Sequence, residues 1–297
     1  MGTLLSIFRG EEVQKHIDET LTTESTTGSA PAAPETLNSA APRSAQVDDR
    51  VFMKSVERTF LVLEAFGKAQ HPLTLAEIAQ LVGIDKSGAQ RICYTLQALG
   101  YLERAHNGRG LVPGKKILER SFDYLRYNPL IERAAPILVN LRRDLQERVD
   151  LSLFDDLTVI YAYRLLSKRD FFYANLAGRR VPTFLSSGGR AIMAHLPDDE
   201  VNSILARSDL QPRTVKSTTD VKELWQCIKQ ARQDGYAVAV EQWLLGEIAI
   251  ASAILDSKGR PIAAIHVSAS LAEWTPEAFC HRIGPRVIEA TRALSGA

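Results

Sequence analysis

Between residues 74 and 99 the apolar positions form two short helical stripes with a glycine between them. Leu75, Ile78, Ala79 and Val82 mark one face of a first helix, and Ile92, Thr95, Leu96 and Leu99 are the expected buried stripe of a second. Thr74 can cap the first helix, with Glu77 three residues on to complete a capping box. Gly83 takes the turn that a bulkier residue would resist, and Asp85 caps the second helix. Strand-like runs at Tyr101–Arg104 and Leu111-Val112 then flank the turn His106-Asn107-Gly108-Arg109. Upstream, a helix from Ser55 to about Lys68 is expected to turn Val56, Phe60, Leu63 and Phe66 toward this pair. The layout is that of a winged helix-turn-helix.

Beyond the wing the periodicity changes. Lys115–Tyr127 carries Ile117, Leu118, Phe122 and Leu125 at helical spacing, and Asn128-Pro129 should end it. An exposed apolar stripe on this linker helix would suit dimerisation. A longer helix is predicted from Leu130 to about Arg148. Strands are expected at 149–154, 158–163, 171–176, 236–242, 248–255 and 261–268, with helices near 188, at 198–206, at 220–234 and at 276–294. Asp256-Ser257-Lys258-Gly259 reads as a hairpin turn. The prediction is an α+β chain: a winged helix-turn-helix over 51–114, a linker helix over 115–128 and a GAF/PAS-like α+β effector-binding and oligomerisation domain over 129–297. Residues 1–50, rich in Thr, Ser, Ala and Pro from Thr20 to Gln46, are expected to be a disordered tail.

Composition adds a few constraints. At 297 residues the chain can bury two cores. No apolar run is long enough for a membrane span, so no membrane partner is expected. Cys93, Cys227 and Cys280 lack metal-ligand spacing, and Cys93 is expected to be a small packing residue. A reducing, cytoplasmic location fits this usage. The net charge of +1 hides an asymmetry: residues 1–52 carry 4 basic and 8 acidic residues, and residues 53–128 carry 11 and 7. The positive segment is the one that holds the helix-turn-helix, as phosphate contact requires.

The chemistry expected of the first domain is therefore DNA binding. Lys86, Ser87, Gln90 and Arg91 cluster in the first two turns of the second helix, where a recognition helix meets base edges and phosphates. In the second domain, Ser186-Ser187-Gly188-Gly189-Arg190 enters a helix, and such an entry favours carboxylates and phosphates.

These residues carry a resemblance. The chain resembles the IclR family of bacterial transcriptional regulators from about Lys54 to Ala297. The matches are Ser-Val-Glu-Arg-Thr at 55–59, Pro-Leu-Thr-Leu-Ala-Glu-Ile-Ala at 72–79, Gly-Tyr-Leu-Glu-Arg at 100–104, Gly-Arg-Arg-Val-Pro at 178–182, Gly-Arg-Ala at 189–191, Gly-Tyr-Ala-Val at 235–238 and Ile-His-Val-Ser at 265–268. The resemblance implies operator binding by the first domain, a small organic effector (commonly a carboxylate) in the second, and assembly as a homodimer or homotetramer. It implies DNA-binding roles for Thr74, Lys86, Ser87, Gln90, Arg91 and Arg109, the last in the wing. It places the effector against Ser186, Ser187 and Gly188, with Phe171, Tyr173, Gln242, Trp243, His266 and Ser268 as further pocket positions, near Ala249 and Ala253. Four positions depart from the family pattern: Gly88 stands where Thr is frequent, Ala249 for Cys, Ala253 for Pro and His266 for Ser. The aromatic residues would suit an aromatic acid, its ring stacked and its carboxylate held by the serine turn and His266. Some relatives with a similar pocket regulate aromatic catabolism.

An enzyme is the first alternative. Ser187 and His266 could be imagined as nucleophile and base, but no third group orients them and no Gly-x-Ser-x-Gly elbow is present. Neither a phosphate loop nor a zinc-spaced set appears, so no cofactor, metal or catalytic residue is expected. A DNA-binding assembly protein whose second domain binds no metabolite is the other alternative. Double-stranded operator DNA is the expected macromolecular partner, joined by RNA polymerase in the case of an activator.

Overall fold

The computed structural model describes residues 48–69, 71–167 and 177–296. The tail expected over residues 1–50 falls almost wholly outside them, as does the strand expected at 171–176. The chain forms two compact units, the first ending at Lys115 and the second running from Lys116.

The first unit contains α1 (Lys54–Ala65), α2 (Leu75–Val82), α3 (Lys86–Ala98), β1 (Leu102–Arg104) and β2 (Leu111–Pro113). The expected caps are all made. The Thr74 N–H donates to Glu77 Oε2 at 2.8 Å while Thr74 Oγ1 accepts from the Glu77 N–H, and Gly83 ends α2 at φ +69°. Asp85 accepts from the Gly88 N–H at 2.8 Å at the start of α3. The β1–β2 hairpin is antiparallel, and Leu73 bridges to Leu111 beside it.

Two expected packing faces are corrected. On α1, Val56 is 44% and Phe60 59% exposed; the buried residues are Val62 and Ala65, with Leu63 and Phe66 partly covered. Only the C-terminal half of this helix lies on the core. On α3 the buried stripe is Ala89, Cys93 and Leu96, while Thr95 and Leu99 are exposed and Ile92 is half-buried. Small residues let α3 pack closely, and hydropathy alone underweights them. Cys93 is buried as expected, and burial pushes its thiol up to about 11.

The second unit opens with α4 (Lys116–Tyr127) and α5 (Pro129–Leu145), which Asn128 caps through the N–H groups of Leu130 and Ile131. A six-stranded antiparallel sheet follows in the order β5-β4-β3-β8-β7-β6, built from β3 (Arg148–Asp155), β4 (Thr158–Leu165), β5 (Arg180–Pro182), β6 (Ala237–Val240), β7 (Glu247–Leu255) and β8 (Pro261–Ser270). Strand β5 is absent from the sequence-based expectation. The remaining helices are α6 (Ser187–Met193), α7 (Asp198–Arg207), α8 (Val221–Asp234) and α9 (Pro276–Arg292).

Strand alternation gives the sheet two unlike faces. Val149, Leu151, Ile248, Ile250, Ile265 and Val267 pack with Leu138, Leu141, Phe279 and Val287 of α5 and α9. The opposite face holds Ala251, Ala253 and Ala264 against α6 and α8, and it also carries the buried polar residues Asp150, Ser152, His266 and Ser268. Large aliphatic residues seal one side, and small or polar ones line the other. No helix of the described residues is long and apolar enough to cross a membrane.

Candidate functional site

On the first unit, Lys86, Ser87, Gln90 and Arg91 are all exposed on α3. The Ser87 hydroxyl donates to Asp85 Oδ1 at 2.6 Å. Tyr94, 74% exposed, continues this face at helical spacing and went unnoticed in the sequence. Arg109 stands exposed in the wing, its N–H donating to Asn107 Oδ1 at 3.0 Å next to Gly108 at φ +71°. Thr74 is exposed, but its hydroxyl is engaged with Glu77 as the helix cap. A groove between α1 and α3 is lined by Ser55, Arg58, Thr59, Asp85, Gly88 and Arg91.

The second unit has a cavity of about 200 Å³ on the small, polar face of the sheet. Its floor is set by strand register. Arg148, Ser268, Ala249 and Ala239 form one row across β3, β8, β7 and β6, and all four line the cavity. The next row is Arg164, Asp150, His266 and Ala251. Alanines on the β7 side keep the space open, while polar residues on β3, β4 and β8 give it character.

The charges in that second row are tightly organised. Asp150 is fully buried and accepts from Arg164 Nε and Nη2, each at 2.9 Å, and from Arg148 Nε at 3.1 Å. Arg148 also reaches Glu247 at 2.8 Å. Burial alone would lower the Arg148 pKa; Glu247 and Asp150 outweigh it and the net shift is upward. The Arg164 side chain is 4% exposed, its guanidinium lies 4.1 Å from the Tyr161 ring centre, and its Nη1 is buried without a hydrogen-bond partner. His266 sits behind the floor, joined through Nε2 to Ser152 Oγ at 2.7 Å and through Nδ1 to Ser187 Oγ at 3.3 Å. Burial drops its pKa to about 4.

The mouth is built by loops. Arg179 lies 5.0 Å and Arg213 5.2 Å from the centre of the Trp243 ring. Burial, then the neighbouring Arg164, lowers the Arg179 pKa; Tyr161 opposes them, and Arg213 and Arg148 add to the lowering. Gln242 is a structural hub: its Oε1 accepts from Arg190 Nη2 and from the Thr218 N–H, and its Nε2 donates to the Lys216 carbonyl, each at 2.8 Å. The other Arg190 bond runs from Nε to the Phe184 carbonyl at 2.8 Å, so this buried cation is held by neutral acceptors.

Of the residues picked out in the sequence, Ser186, Ser187, Gln242, Trp243, Ala249 and Ser268 come together around one cavity. The Ser186 hydroxyl accepts from the Gly189 N–H as a helix cap. Gly188 and His266 lie behind the lining, and a Cβ at Gly188 would run into the imidazole. Ala253 belongs to the core and stands apart from the cavity lining. Phe171 and Tyr173 fall outside the described residues. The sequence reading missed Arg148, Tyr161, Arg164, Arg179 and Glu247. Charged residues at alternate positions of Arg148-Val149-Asp150 were the available signal, since such residues on a central strand must face something polar.

This fold and its two surfaces find their match in one family. The model of the IclR C-terminal domain of bacterial transcriptional regulators covers residues 122–296, and that of the IclR helix-turn-helix domain covers 55–106. The chain belongs to the IclR family. A Pca regulon regulatory protein of Pseudomonas putida is 30% identical over 268 residues, covering 90% of this chain and 91% of that protein. The regulator XynR of Escherichia coli is 26% identical over 82% of this chain and 97% of its own length. Among solved structures, a transcriptional regulator of Rhodococcus sp. RHA1 aligns with TM-score 0.69 at 26% identity, covering 82% of this chain and 97% of that one. IclR of Thermotoga maritima, at 24% identity and TM-score 0.62 over 83% of this chain and all of that one, shares the fold. The chain is thus an IclR transcriptional regulator, with a helix-turn-helix DNA-binding domain and a ligand-binding C-terminal domain. Its relatives regulate transcription and are not enzymes.

Proposed function

We propose that this regulator reads operator DNA with α3 and the wing, and senses a small organic acid in the cavity of its second unit. The observation that carries the effector reading is the set of arginines around that cavity, one of which, Arg164, has a buried nitrogen without a partner. A buried, unsatisfied guanidinium N–H is costly, and a carboxylate would satisfy it with a charge-assisted hydrogen bond. At about 30 Å³ per water, the cavity holds the equivalent of about seven waters, which suits a small acid. Tyr161 and Trp243 at its edges favour an aromatic or flat ligand, consistent with a relative named for a Pca regulon.

On DNA, Gln90 and Arg91 read bases, Lys86 and Ser87 bind close by on the same face, and Arg109 reaches phosphate or the minor groove. A homodimer, aided by the exposed Leu118, Phe122 and Tyr127 of α4, sets two recognition helices on an imperfect palindrome. Effector and DNA binding are then reciprocally linked.

A thermal-shift screen of the purified protein against aromatic and aliphatic acids tests the sensor. A true effector at about 100 times its Kd stabilises by about 2.7 kcal/mol, which raises Tm by roughly 5–10 °C. No shift with any acid, in protein that still binds operator, would replace the sensor by an assembly domain that takes no ligand. For the DNA surface, Arg91→Ala should relax discrimination among operator variants, whereas Arg109→Ala should weaken all of them and flatten the salt dependence.

A further inference from the structure

The charges around the cavity do not balance, and the imbalance exceeds one charge. Arg148, Arg164 and Arg179 line it, Arg213 lies by the same Trp243 ring as Arg179, and Arg190 is buried and bonded to Gln242. Among the described residues, the carboxylates placed against this group are Asp150 and Glu247. Glu247 is taken up by Arg148, and Asp150 is shared between Arg148 and Arg164. Arg148 is therefore doubly compensated, Arg164 is compensated only in part, and Arg179 has a ring and other cations as its neighbours.

The two under-compensated groups approach the cavity from different sides. Arg164 belongs to the floor: it is in register with Asp150 and packs on Tyr161. Arg179 starts beside β4, where its carbonyl accepts from the Tyr161 N–H, and its guanidinium reaches Trp243 in the loop after β6. One carboxylate set on Arg164 at the floor leaves Arg179 uncompensated among the described residues. Desolvating that second guanidinium under a bound ligand is unfavourable unless the ligand brings a second anion to it.

We infer that the effector is a small dianion, a dicarboxylic acid that sets one carboxylate on Arg164 at the floor and the other on Arg179 at the mouth. This rests on the sensor reading above and narrows its ligand class. Val181, Leu185, Ala239 and Ala249, which line the same cavity, offer apolar surface to the stretch between the two carboxylates. Selectivity follows from the protein's own charge: a monoacid forfeits one charge-assisted contact and buries a bare cation.

Calorimetric titration of the intact protein tests this with matched pairs. Succinate through suberate and terephthalate are compared with butyrate through octanoate and 4-methylbenzoate. The expected result is a diacid that binds about tenfold or more tightly than its matched monoacid. In Arg179→Gln, whose side chain carries none of the floor's ion pairs, that preference should vanish or reverse: the diacid falls to the monoacid's affinity or below it, and the monoacid, which no longer covers a bare cation, binds at least as well as to the wild type. An unchanged Tm of the ligand-free variant certifies its fold. Monoacids that match their diacids overturn the dianion and leave the sensor intact, as does a preference that survives in Arg179→Gln. If neither class binds, the sensor reading itself falls.

Discussion

Mild acid should loosen the second unit through a single imidazole. His266 is fully buried, joined to Ser152 and Ser187, with the Tyr161 ring 5.1 Å from its own. Burial dominates its titration, Asp150 pulls the other way, Arg164 and Arg148 reinforce burial, and the result is a pKa of about 4 against an ordinary 6.5. Below pH 6.5 the unfolded chain accepts a proton that the folded chain refuses. Stability is therefore full above that pH, declines as the pH falls, and stops declining from this source near pH 4. The gap corresponds to about 3 kcal/mol. The three tryptophans, Trp225, Trp243 and Trp274, all lie in the second unit, so urea unfolding followed by their fluorescence reports on that unit alone. Many carboxylates titrate over the same range, so the wild type must be read against His266→Gln, in which they are unchanged. Between about pH 7 and about pH 4 the wild type should lose roughly 3 kcal/mol more than the variant. Curves that stay parallel within about 0.5 kcal/mol would show that the imidazole is solvated or already charged, and the reasoning would be wrong.

Two substitutions probe the same region. Asp150→Asn keeps the shape but strips the charge from a fully buried group that holds two guanidinium ions, so it should cost about 3–5 kcal/mol and lower Tm by roughly 10 °C in scanning calorimetry; a fall of less than about 2 °C would mean that water compensates the arginines. Gly188→Ala gains helix propensity of about 1 kcal/mol yet drives a methyl group into the His266 ring, and overpacking of this kind costs about 1–3 kcal/mol. The expected outcome is a lower Tm together with weaker acid binding, and a variant at least as stable as wild type would show that the imidazole can move aside.

What could be read from the chain depended on how far apart the interacting residues lie in sequence. The caps and turns were legible because each is a bond over two or three positions: Thr74 with Glu77, Asp85 with Gly88, Asp256 with Lys258. The packing faces of α1 and α3 were misjudged because burial there falls on Ala65, Ala89 and Cys93, whose small size counts for more than their hydropathy. In the cavity, the serine turn was legible as a polar helix entry, and Gln242, Trp243 and Ser268 were found through family resemblance. The arginines were not, for a physical reason. A long charged side chain belongs in water by default, and what holds Arg148 and Arg164 inside is a partner supplied by register: Asp150 sits opposite Arg164 on one neighbouring strand and His266 on the other, and Glu247 reaches Arg148 from 99 residues away. Pairing of that kind exists only once β3 is flanked by β4 and β8. The same register seats His266: Ser152 and Ser187 bind its two ring nitrogens, and Gly188 leaves the ring its space. Ala249, a small floor residue, leaves room above the sheet, His266 fills the layer behind it, and around that space the arginines outnumber the carboxylates Asp150 and Glu247.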